Sequence, residues 1–172
     1  MAYTYSRLAS TTVGAGGTSA ITFSNIPQNY TDLVVKLSLR TDRVDTISAL
    51  RLTFNNSATS YSNKMIEGSG ATAASYTGGS TYIDLGYAPA ANATASTFDN
   101  HEIYISNYAS ANNKSVSIDA VQENNTATAY ANLIAGLWSN TAAINLIKVV
   151  PSTAVNFVQY STATLYGVRV EL

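Results

Sequence analysis

His101 is the only histidine in the sequence, so a Ser-His-Asp triad or a histidine metal site would have to use it. Its neighbours are Asp99, Asn100 and Glu102. Residues two apart on a strand share a face, which places Asp99 and His101 for a carboxylate–imidazole contact. No Gly-x-Ser-x-Gly nucleophile elbow accompanies them, and no second histidine completes a metal site. A structural role for His101 is the expectation. Asp42 and Asp45 flank Arg43 and Val44 in an expected loop and could contribute to a calcium site. The plainer reading is a pair of solvated turn residues partnered by Arg40 or Arg43, because the spacing supplies no further oxygen ligands. Glu67, Asp84, Asp119, Glu123 and Glu171 fall in separate segments, so nothing local points to the paired acids of a glycosidase. Gly14-Ala15-Gly16-Gly17 is followed by neither a helix nor the Lys-Ser/Thr of a P-loop. The chain has no cysteine, which removes thiolate nucleophiles, disulfides and cysteine-ligated metals. The expectation is a protein that is not an enzyme and carries neither metal nor cofactor.

The elements that would position these residues read as strands. Leu33, Val35, Leu37 and Leu39 alternate with Val34, Lys36, Ser38 and Arg40, the period of a half-buried strand. Leu50, Leu52 and Phe54 repeat the pattern, as do Ile103 with Ile105 and Val116 with Ile118. At the end of the chain Tyr166, Val168, Val170 and Leu172 face one way, and Arg169 and Glu171 the other. Ala129–Trp138 and Ile144–Val150 carry apolar residues on both faces, as a strand central in a sandwich or covered by a neighbouring subunit would. A helix over Thr126–Trp138 competes, since Ala and Leu favour helices, but the β-rich context and missing caps favour strand. Val13–Gly17 turns the chain from an opening strand into Ala20–Phe23 as a hairpin or crossover. Gly68–Gly79 reads as the longest polar loop, with a second loop at Ala88–Asn92. Short alternating strands separated by turn residues predict an all-β, antiparallel β-sandwich. Residues 1–172 form one domain, with residues 1–18 as an N-terminal arm or hairpin.

Composition narrows the function class. Hydrophobic residues make up 46% of the 172 and charged residues only 11%, less than half the usual charged share. Small neutral polar residues cover a surface without charge repulsion, which suits packing against copies or a larger assembly. The formal net charge is −1 and the basic residues are scattered, so no nucleic-acid footprint is expected. No apolar run reaches the roughly 20 residues of a membrane helix, and the first residues lack the charged and apolar regions of a signal peptide. The Asn-x-Ser/Thr sequons at Asn29, Asn55, Asn92, Asn113 and Asn124 are then chance in an Asn/Ser/Thr-rich chain. There are 12 Tyr against 4 Phe and 1 Trp, an excess of rings with a polar edge, which serve protein interfaces and sugar stacking alike. Tyr61, Tyr76, Tyr82, Tyr87, Tyr104 and Tyr108 are candidate interface residues beside ordinary strand roles, and Trp138 is a core or subunit-interface anchor.

Three segments, Ser19–Arg40 (SAITFSNIPQNYTDLVVKLSLR), Leu50–Gly70 (LRLTFNNSATSYSNKMIEGSG) and Leu133–Val150 (LIAGLWSNTAAINLIKVV), resemble a family of small structural proteins of tailed bacteriophages from marine bacteria and cyanobacteria. The closing Asn156–Val170 (NFVQYSTATLYGVRV) is similar to that family's C-terminal strand, with its Leu-Tyr-Gly-Ile/Val motif. Ile-Pro-x-x-Tyr-Thr-Asp-Leu and Gly-Leu-Trp-Ser are the most specific elements. The resemblance implies a jelly-roll-like β-sandwich virion component without enzymatic activity, assembled in the host cytoplasm. It also implies a homo-oligomer, trimer favoured, on the head surface as a capsid decoration (cement) protein bound to the major capsid protein. The alternative it leaves open is a tail or fibre module that presents loops to a host-surface receptor or glycan.

Overall fold

The computed structural model describes residues 3–170. Twelve strands run in chain order. They are β1 (Tyr3–Thr12), β2 (Ile21–Ser24), β3 (Asp32–Ser38), β4 (Ile47–Phe54), β5 (Tyr61–Ser69) and β6 (Thr72–Thr77). The second half supplies β7 (Ile83–Pro89), β8 (Asn100–Ile105), β9 (Lys114–Gln122), β10 (Tyr130–Trp138), β11 (Leu146–Pro151) and β12 (Thr162–Val170). An eight-stranded sheet has the order β1-β12-β3-β8-β9-β10-β5-β6, and a four-stranded sheet the order β2-β11-β4-β7. Every pairing is antiparallel, and the two sheets pack as a sandwich. The division is uneven, so the smaller sheet does not reach over both margins of the larger one.

The core follows from the alternation. Leu165, Val35, Ile103, Ile118, Ile134 and Met65 lie opposite one another on successive strands, forming one buried apolar row across the large sheet. Ile21, Phe23, Leu50, Leu52, Phe54, Ile147 and Val149 of the small sheet are buried in the same cluster. Burying side chains of this size stabilises by roughly 1.5–3 kcal/mol each.

Several expectations are corrected. The expected loop at Gly68–Gly79 contains β6, because Gly70 (φ +61°) and Ala71 close a two-residue hairpin between β5 and β6. Glycine at the first central position is what a type II′ turn requires. Ala88 and Pro89, expected in a loop, end β7 and are buried. The turn after β1 is a crossover, since β1 and β2 belong to different sheets. In β12 the core face is Ala163 and Leu165; Tyr166 and Val168 lie opposite, and Glu171 and Leu172 fall outside the described residues. Val34 and Arg40, expected outside, are buried. Ala129–Trp138 does form a strand, but its apolar residues are not covered on both faces: Ile134 and Trp138 point inward while Leu133 is 57% exposed. In β11 likewise only Ile147, Val149 and Pro151 are buried.

Candidate functional site

Asp99 and His101 meet as their spacing requires, with Asp99 Oδ2 3.2 Å from His101 Nδ1. Asp99 Oδ1 also accepts the Leu39 N–H at 2.5 Å. Both side chains are fully buried, so no substrate reaches the imidazole. Burial pushes the Asp99 carboxyl above the ordinary carboxylate range, against the opposing pull of His101 and the Leu39 amide. The pair ties the end of β3 to β8. Asp42 spends its oxygens on the main-chain and side-chain amides of Asn156. Asp45 accepts the Thr46 N–H and pairs with Arg43 at 3.0 Å. Among the described residues, no group of three or more His, Cys, Asp or Glu could hold a metal.

The candidate interface tyrosines separate into three groups. Tyr61 is only 4% exposed and Tyr108 is fully buried, so both leave the set of exposed contacts. Tyr61 stacks on Trp138 at 6.1 Å and its hydroxyl accepts the Phe54 N–H at 2.8 Å, while the Tyr108 hydroxyl donates to the Pro27 carbonyl. A main-chain partner satisfies each hydroxyl, which lets the ring enter the core. Trp138 lies against Phe54 as well, at 5.7 Å, and is a core anchor of the chain itself. Tyr82 and Tyr104 are half-buried in local pairings, Tyr82 under the Arg51 guanidinium at 4.1 Å and Tyr104 donating to Asp32 Oδ2 at 2.5 Å. Beside Tyr82, burial raises the carboxyl pKa of Asp84, opposed by Arg51.

The third group converges. Tyr76 and Tyr87 gather with Tyr130 around Glu67, at the end of the sandwich where β7 faces β5 and β10. Their neighbours follow from the register. Ala163, Leu37, His101, Ala120, Asn132 and Glu67 form a second inward row that is apolar at β12 and polar at β5. Asn132 Nδ2 donates to Glu67 Oε2 at 3.2 Å, and the Tyr76 hydroxyl donates to Oε1 at 3.5 Å. Tyr87 and Tyr130 are 4.7 Å apart between ring centroids. Burial first, and then the nearby Glu67, push the Tyr87 phenol up to about 12. Gly86 (φ +78°) lies so close to Asn132 that a Cβ would meet its Oδ1 at 2.7 Å. Beside this cluster, Gly68, Gly70, Gln122, Thr126 and Tyr130 line a cleft of about 610 Å³. The arrangement offers aromatic rings, amides and the Glu67 carboxylate, with the exposed Glu123 also lining the cleft, and such a set can bind a polyol.

The outer face of the same end carries exposed apolar residues, bordered by Asp119 opposite Leu133 on β9 and Lys64 opposite Ala135 on β5. Leu133 lies directly opposite Ile66, which is 62% exposed, and Val121 is exposed on the adjoining β9. Ala131 and Ala135 are exposed beside them. The consecutive apolar residues Leu133-Ile134 and Met65-Ile66 carry this strip in the sequence. Glu67, Asn132, Gln122 and Tyr130 had no such signal, because only the strand register brings them together. No family model, curated protein or solved structure matches the chain.

Proposed function

We infer that this chain is a non-catalytic structural component of a bacteriophage particle, a capsid decoration protein that clamps neighbouring subunits of the head. The observation that carries the assembly reading is the exposed set of Ile66, Leu133 and Val121 on strands β5, β10 and β9, whose inward Met65, Ile134 and Ile118 are buried. Contiguous exposed apolar surface on a rigid sheet marks a contact surface. The low charge of the chain allows close packing, and the resemblance of its motifs supplies the phage context. The partners are the major capsid protein and further copies of the chain. Cryo-EM of the intact virion tests the assignment: many symmetry-related copies on the head are expected, and a few copies at the tail tip overturn it.

A second reading, a tail or fibre module that binds a host glycan, is favoured by the Tyr76–Tyr87–Tyr130 group around Glu67 beside an open cleft. Aromatic faces and paired acceptors suit sugar stacking and hydroxyl recognition. Binding on a glycan array by the isolated chain, lost in Tyr130→Ala, is its expected result; no binding to any glycan removes it.

A further inference from the structure

The outer edges of the two sheets are not alike. β2 is only four residues long. β7 ends in Pro89, and its pairing with β4 shifts register between Ala49 and Arg51. β1 carries Arg7 and shifts register between Arg7 and Ala9. Short length, proline, charge and bulges are the means by which edge strands avoid pairing with foreign strands. β6 has none of them. Thr72–Thr77 contains no charge and no proline, and its pairing with β5 is unbroken from Lys64–Thr77 to Ser69–Thr72. Lys64, the exposed charge on β5 nearest this edge, is held by its Nζ donating to Thr77 Oγ1 at 2.6 Å. The small sheet does not cover β6, and Tyr76, the last member of the central core row, is 49% exposed.

The ladder fixes which groups are open. Gly78 N–H donates to the Asn63 carbonyl. By the alternation of antiparallel pairs, Thr72, Ala74 and Tyr76 turn their main-chain groups toward β5, and Ala73, Ser75 and Thr77 turn theirs to the free edge. We propose that this edge is an interaction surface for β6 of a second copy, paired antiparallel about a two-fold axis at Ser75. This deepens the assembly reading and rests on it for its use in a particle, while the pairing itself is open to test in solution.

The edge is complementary to itself. With Ser75 opposite Ser75 of the second copy, Ala73 faces Thr77 and every open main-chain group finds a partner, roughly six hydrogen bonds in all. On the inner face the Tyr76 ring of each copy lies against Ala74 of the other, large against small. No like charges oppose. On the outer face the row Leu133–Ile66–Ser75 continues into the same row of the second copy in reverse order. Two apolar strips are thereby aligned on one sixteen-stranded sheet, which is a broader clamp than either copy alone presents.

Sedimentation velocity of the full chain, with cysteine scanning of the edge, tests this. The native chain should show a concentration-dependent dimer. Because the chain has no cysteine, Ser75→Cys introduces the only thiol. Opposed hydrogen-bonded residues lie about 5.5 Å apart at Cα, within the roughly 4.4–6.8 Å of a disulfide, so oxidation should link Ser75→Cys into dimers. Ala73→Cys should stay unlinked, its two copies lying about 14 Å apart along the strands. Ser75→Lys sets two charges face to face and should weaken the dimer at least about tenfold, with an unchanged circular dichroism spectrum. Ser117→Lys, the same change on β9, should leave the dimer intact. A chain that is monomeric at every concentration, equal linking at 73 and 75, or an undiminished Ser75→Lys dimer overturns the proposal. A chain that dimerises in this way but is missing from virions overturns the decoration role and leaves the pairing standing.

Discussion

The two ends of the eight-stranded sheet are built from the same kind of strand and finished in opposite ways. Over Gly167 and Val34 of β12 and β3 the chain closes both faces, while the edge strand β1 beyond them keeps Tyr5 54% exposed. Tyr30 lies so tightly over Gly167 that a Cβ there would meet the ring at 2.5 Å, and the Arg169 guanidinium sits 5.0 Å from the same ring. On the outer face Val34 is fully buried between Tyr166 and Tyr104, and Asp32 takes both the Tyr104 hydroxyl and the Asn107 N–H. At the β10–β5–β6 end the inner face is packed with equal care around Trp138, but Ile66 and Leu133 are left outside and β6 is largely exposed on both faces. Openness is therefore confined to one face at β5 and β10, and only the edge strand β6 is open on both. A loosely packed margin would expose residues on both sides of β5 and β10 as well, whereas these two strands expose only the outer one.

The largest expected effect tests that anchoring. Trp138→Ala removes a fully buried ring that stacks on Tyr61 and packs at a tilt against Phe54 and should cost about 3–5 kcal/mol in denaturant unfolding. Trp138→Phe should cost much less, since it keeps a ring and deletes an indole N–H that has no protein acceptor. A loss under 1 kcal/mol in Trp138→Ala, on the order of an ordinary surface change, would mean that the open end is loose throughout. The next effect contrasts two glycines. Gly167→Ala forces the Tyr30 ring away and should cost about 1–3 kcal/mol. Gly68→Ala, on the open end with nothing within 4 Å of its Cβ position, should change stability by no more than about 0.5 kcal/mol. Equal effects at the two positions would erase the contrast between the ends.

How much of this was legible depends on what the packing demands of each residue. The sandwich was legible in Leu33–Leu39, Leu50–Phe54 and Val116–Ile118, because a half-buried strand must alternate. Thr72–Thr77 was not, because a strand uncovered on both faces is under no such demand and reads as polar loop. Tyr61 and Tyr108 read as candidate interface rings no differently from Tyr76, since a sequence does not reveal that the Phe54 N–H and the Pro27 carbonyl wait inside for their hydroxyls. Asp99 and His101 were paired from spacing alone, whereas Glu67 and Asn132 are 65 residues apart and meet only through the β5–β10 register. The residues of the resemblance become intelligible as packing. Tyr30 and Gly167 belong to two of its motifs and touch each other, and Gly136 of a third admits the Ile83 side chain, 2.9 Å from where a Cβ would stand.

Asp99 provides the next smaller test, within the closed half. Its carboxyl is raised by burial, so the folded state holds the proton more tightly than the unfolded chain. That contribution is fully present below about pH 4, the unfolded value, and is lost as pH rises through the folded one. Asp99→Asn keeps an oxygen for the Leu39 N–H and never ionises. Its unfolding free energy should therefore gain on that of the native chain as pH rises from 4 to 8, by about 1.4 kcal/mol for each unit of the raised pKa, read from denaturant melts. Parallel melting curves across that range would show that Asp99 is not held protonated by its burial.

The smallest expected change in stability carries the most information about the open end. Ile66 and Leu133 face each other across β5 and β10 with more than half of each side chain in water, so the chain alone gains little from them. Replacing both by threonine gives each position a β-branched side chain that suits an exposed strand and should shift stability by about 0.5 kcal/mol or less. If the strip is a docking surface, the same double variant loses binding to phage heads while the Gly68→Ala chain keeps it. A double variant that is strongly destabilised would show that the strip serves the fold of the chain. One that binds heads undiminished would move the contact elsewhere on the molecule. Only unchanged folding together with lost binding fits a face whose apolar residues exist for another surface.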